Sequence, residues 1–159
     1  MFAGGSASSN TNATDESVDP LLLGVSIEAV KSLVQLATPG AATREVGEAV
    51  RAQDAATSFA QRMLLTHGSS HAGRATVFVS HAQSVEFEQL CSALELHSRE
   101  TERAYYWLDI ASIGADVVGG VSKIGEVVRT IQQVLLVIDP WHAPVCLTRV
   151  WWCARTCCP

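Results

Sequence analysis

Three polar clusters in this sequence each follow a short apolar run. Ser80-His81 follows Thr76-Val77-Phe78-Val79, Asp109 follows Tyr105-Tyr106-Trp107-Leu108, and Asp139-Pro140-Trp141 follows Val134–Ile138. His81 has no partner at motif spacing, so it serves either as a polar ligand contact or as a cap on nearby backbone. Asp109 can orient a ligand or organise the loop behind it. Ser112 lies just beyond it. Trp141, in a loop beside proline, can stack on a planar ring. Arg149 and Trp151 fall near the start of a last expected helix, where outward-pointing N–H groups and a guanidinium suit a phosphate. Ser80 lacks the G-x-S-x-G frame of an activated serine, so it is not read as a nucleophile.

Other chemistry has no frame here. Gly114, Gly119 and Gly120 do not fit G-x-G-x-x-G, no phosphate-binding P-loop is present, and no pair of carboxylates stands out as acid and base. The cysteines are Cys91, Cys146, Cys153, Cys157 and Cys158. Five is odd, and C-x3-C-C with no nearby histidine is not a zinc-finger spacing, so neither a disulfide framework nor a metal is expected. A reducing, cytoplasmic setting follows.

The clusters need elements to position them. Thr76–Ser80, Tyr105–Ile110 and Val134–Ile138 read as three strands. Between them lie two amphipathic helices. The first is capped by Ser84, with Glu86 and Glu88 in its first turn and Phe87, Leu90, Cys91 and Leu94 on one face. The second carries Val121, Ile124, Val127, Val128 and Ile131. A final helix begins near Thr148. Strand–helix alternation predicts an α/β fold with a parallel sheet, helices on both faces, and a site beyond the carboxyl ends of the strands. Ser80, His81, Asp109, Ser112, Trp141, Arg149 and Trp151 are the candidates for that rim.

Residues 21–73 read as a helical extension and linker. Val25, Ala29, Leu33 and Leu36 make one helix, stopped by Thr38-Pro39-Gly40. A second runs from Thr43 through Phe59 and Met63, and His67–Gly73 is the linker. Residues 1–20 are small and polar and read as a disordered tail, and the first basic residue is Lys31.

The chain has 159 residues, 48% of them hydrophobic and 17% charged, enough for one domain with a real core. A net charge of -5 argues against nucleic-acid binding through a basic surface. No apolar run approaches the ~20 residues of a membrane span.

Three segments together resemble TIR-like (Toll/interleukin receptor-type) domains. Val77-Phe78-Val79-Ser80-His81-Ala82 is similar to their opening strand, Tyr106-Trp107-Leu108-Asp109-Ile110 to the second, and Val134–Trp141 with Leu147-Thr148-Arg149-Val150-Trp151 to the third strand and the helix after it. The likeness is greatest to a divergent group in large proteins of unicellular eukaryotes. Their segments read roughly VFVSHAW, YWLDIFSVNQ, VLLVLSPW and PLTRAWCLWE. The resemblance covers residues 76–155. It implies a flavodoxin-like fold of five parallel strands, with the first strand between the second and third. It also implies signalling through self-association or pairing with other TIR-like domains.

In some members the resemblance implies NAD cleavage by a glutamate four positions after the tryptophan matched by Trp151. Arg155 stands there, and an arginine can neither accept a proton nor offer an anion. Gln83 replaces a tryptophan, and Ala111-Ser112-Ile113-Gly114-Ala115 replaces FSVNQ. The expectation is an incomplete, three-stranded TIR-like domain over residues 74–159. It would act as an interaction module with no catalytic residue, no cofactor, no metal, and neither nucleic acid nor membrane as partner. The alternatives are an NAD-cleaving or nucleotide-binding enzyme with Asp109 or Asp139 as substitute acid, and a non-functional truncated fragment.

Overall fold

A computed structural model of the chain describes residues 18–114, 120–139, 141 and 142. At its centre is β3 (Val77–Ser80), whose four residues are all buried. On one side it pairs in parallel with β4 (Tyr106–Trp107), through Val77↔Tyr106 and Phe78↔Trp107. On the other it pairs in parallel with β5 (Val134–Leu136), through Phe78↔Val134 and Ser80↔Leu136. The expected side-by-side arrangement of these segments is what the backbone adopts.

Among the described residues the sheet has five strands rather than three, in the order β2-β1-β4-β3-β5. The added strands are β1 (Leu23–Val25) and β2 (Ala72–Arg74), antiparallel to one another, with β1 antiparallel to β4 at Val25↔Tyr106. Leu23–Val25 was expected to be helical, and Ala72 and Gly73 to be linker. Three-residue strands are too short to show a period, and both depend on glycine at points of close approach. A Cβ on Gly24 would sit 3.0 Å from Ala75 Cβ and from the backbone of Tyr105 and Tyr106. A Cβ on Gly73 would sit 2.8 Å from the Tyr105 ring. The Tyr105 hydroxyl donates to the Ser69 carbonyl, so the expected linker is held by a side chain 36 positions away.

Alternation along the strands sends side chains to two cores. On one face Leu23, Val25, Val77, Val79, Tyr106 and Leu108 pack under α1 (Ile27–Val34), α2 (Thr43–Gln53), α3 (Phe59–His67) and α4 (Phe87–Arg99). On the other, Phe78 and Trp107 stack with ring centroids 5.0 Å apart and meet Val127 and Val128 of α6 (Gly120–Ile131). Helices therefore cover both faces, as a parallel centre requires. The Trp107 indole N–H donates to the Leu21 carbonyl at 2.8 Å, tying the 3-10 turn Pro20–Leu22 that leads into β1 to β4.

Helix boundaries depart from expectation where side chains capture backbone. The helix expected from Thr43 to Met63 is two. Asp54 ends α2 by accepting from the N–H groups of Ala56 (2.9 Å) and Thr57 (3.3 Å). Ser58 and Gln61 then open α3 with a reciprocal capping box. α4 starts at Phe87, so Ser84 is not its cap and Glu86 lies outside its first turn. The preceding turn is stitched to the start of α2. Thr43 donates its N–H and hydroxyl to the Val85 carbonyl (2.8 and 2.9 Å), and Phe87 N–H reaches the Ala41 carbonyl at 2.9 Å. The expected second strand stops at Trp107, and Asp109 begins the single helical turn α5 (Asp109–Ser112). The expected tail up to Ser17, the helix near Thr148, and Cys146, Cys153, Cys157 and Cys158 lie outside the described residues.

Candidate functional site

The carboxyl ends of β3 and β4 are neighbours because the strands are parallel, and each is followed at once by a polar residue. His81 leaves β3 and Asp109 leaves β4. His81 is 2% exposed. Its Nε2 lies 3.6 Å from Asp109 Oδ1, an ion-pair distance when the ring is protonated. The Asp109 carboxylate is shared further: Oδ1 accepts from its neighbour's N–H at Ile110 (2.8 Å), and Oδ2 accepts from the Gln83 amide (2.9 Å). Two loops that follow different strands are thus fastened across the rim by His81, Asp109 and Gln83.

This arrangement can hold a loop shape. Asp109 is already engaged by a backbone N–H, an amide and an imidazole, which suits an organising carboxylate better than a general base that must reach a substrate. Gln83 is the member sequence reading passed over as a site residue. Its only signal was a long amide two positions after His81.

The remaining rim candidates scatter. Ser80 is 4% exposed, and its hydroxyl has no hydrogen-bond partner among the described residues. Its carbonyl accepts from Val137 N–H at 2.9 Å, so its backbone extends the β3–β5 ladder. Ser112 is buried and accepts from Leu108 N–H at 3.3 Å, closing the α5 turn. It also lines a separate cleft of about 440 Å³ just past the end of β4. Trp141 is 82% exposed beyond β5, with its ring edge-on to His142. Arg149, Trp151 and Arg155 lie outside the described residues.

Among the described residues no group of three or more metal-ligating side chains comes together, and no helix is long and apolar enough to cross a membrane. Comparison with family models, curated proteins and solved structures finds no match.

Proposed function

We propose that the chain is a TIR-like interaction module that pairs with a second copy of itself, or with another TIR-like domain, through the outer edge of β5, and that it does not cleave NAD. One observation carries this reading. Among the described residues β5 ends the strand order, and its Val-Leu-Leu run holds no charge, proline or bulge to blunt an edge. Ladder alternation fixes which groups face outward. Gln133 O and Val137 N–H bond β3, so the N–H and C=O of Val134 and Leu136 point away from it. Ile138 and Trp141, both exposed, extend the apolar character beyond the strand.

The parallel trio with β3 in the middle supports the TIR-like part of the reading, since that is the order the resemblance implies. Arg155 in place of the family's glutamate supports the absence of catalysis.

Sedimentation velocity of the full chain and of Leu136→Pro tests the proposal. Proline removes an outward N–H and leaves the β3 ladder intact. The wild type should self-associate and the variant should be monomeric with unchanged circular dichroism. A wild type that stays monomeric at all concentrations, alone and mixed with TIR-like domains, refutes the interface. Release of nicotinamide from NAD by the purified chain refutes the non-catalytic part.

A further inference from the structure

The cleft beyond β4 is distinct from the His81–Asp109–Gln83 cluster and from the β5 edge. Its apolar lining includes Leu22, in the 3-10 turn Pro20–Leu22 just before β1, and the fully buried Val127 of α6. Its walls carry Asp19, Lys123 and Glu126, and none of these three forms an ion pair among the described residues. Among the lining residues Ser112 is 2% exposed; its oxygen accepts from Leu108 N–H, and its proton has no acceptor among the described residues.

The geometry points to a binding site for a small zwitterion with an apolar body, of the class of a free aliphatic α-amino acid. A volume of about 440 Å³ lies within the range of small-molecule sites. Two carboxylates on the walls favour an ammonium group and oppose a polyanion such as a dinucleotide pyrophosphate. Among the described lining residues Lys123 offers the cation for the ligand's carboxylate. The Ser112 proton adds a donor for the same group, and Leu22 and Val127 receive the aliphatic body. Charge-assisted contacts in a partly enclosed cleft are the ones that discriminate.

Titration of the ¹⁵N-labelled full chain with L-leucine tests this, with isoamylamine, 4-methylpentanoate and NAD in parallel. Leucine should give saturable shifts at the Ser112, Gly114 and Val127 amides. The amine and the acid, each missing one charge, should bind more weakly, and NAD should leave those amides unmoved. Glu126→Lys reverses an exposed charge without touching the core, and should weaken leucine by about tenfold or more. The site is refuted if leucine produces no saturable shift, if NAD shifts these amides in its place, or if Glu126→Lys binds leucine as the wild type does.

Discussion

Asp109 shows how a residue type can be legible while its role is not. An aspartate directly after an apolar run marks a strand end, and the sequence places it at the rim beside His81. What it touches depends on Gln83, 26 positions away, and on α5 starting at Asp109 itself. His81→Ala should destabilise the fold by about 2–3 kcal/mol in urea unfolding, because it empties a buried volume and strips a neighbour from Asp109. A change below about 0.5 kcal/mol, the usual range for a surface position, would mean that the cluster holds nothing. Tyr106 gives a pH-dependent case. It is fully buried, its hydroxyl 3.0 Å from His97 Nδ1 and 3.3 Å from the Leu94 carbonyl oxygen. Burial foremost, with a smaller push from the Glu28 charge, raises its phenol to about 12 from the usual 10.0. The unfolded phenol ionises first, so its contribution is complete below pH 10 and is lost as pH rises toward about 12. Unfolding midpoints between these values should fall more steeply for the wild type than for Tyr106→Phe. Parallel curves would contradict the assignment. Burial likewise pushes the Cys91 thiol up to about 12. It should resist iodoacetamide at neutral pH until the chain unfolds, and ready alkylation of the native protein would contradict its packing.

Elements were legible where they were long or strongly patterned. α6 was visible from its apolar spacing, and β3 from an unbroken apolar run. β1 and β2 were not, since three residues cannot display a period and their pairing rests on Gly24 and Gly73 meeting distant neighbours. The split between α2 and α3 was likewise hidden, because alanine-rich helix propensity continues across Asp54 while its carboxylate takes two backbone N–H groups. Ser58→Ala should cost about 1 kcal/mol by removing half of the α3 capping box. Gly73→Val should cost more, because β2 would have to displace the Tyr105 ring. Thermal melts of both variants check the order, and a harmless Gly73→Val would mean that the ring moves freely.

For the molecule as a whole, the sequence made the parallel centre readable and left the antiparallel flank unseen. The flank bears on function because it adds β1 and β2 beyond β4, so the sheet's two ends differ: β2 carries the charged Arg74, while β5 is wholly apolar. On the proposed reading, that asymmetry makes β5 the edge for a partner. Hydrogen exchange along β5 as a function of protein concentration tests this most directly. Leu135 and Val137, whose amides face β3, should be protected at every concentration. The outward amides of Val134 and Leu136 should exchange fast in dilute protein and gain protection as concentration rises. Fast exchange at Val134 and Leu136 under all conditions would contradict an edge that pairs.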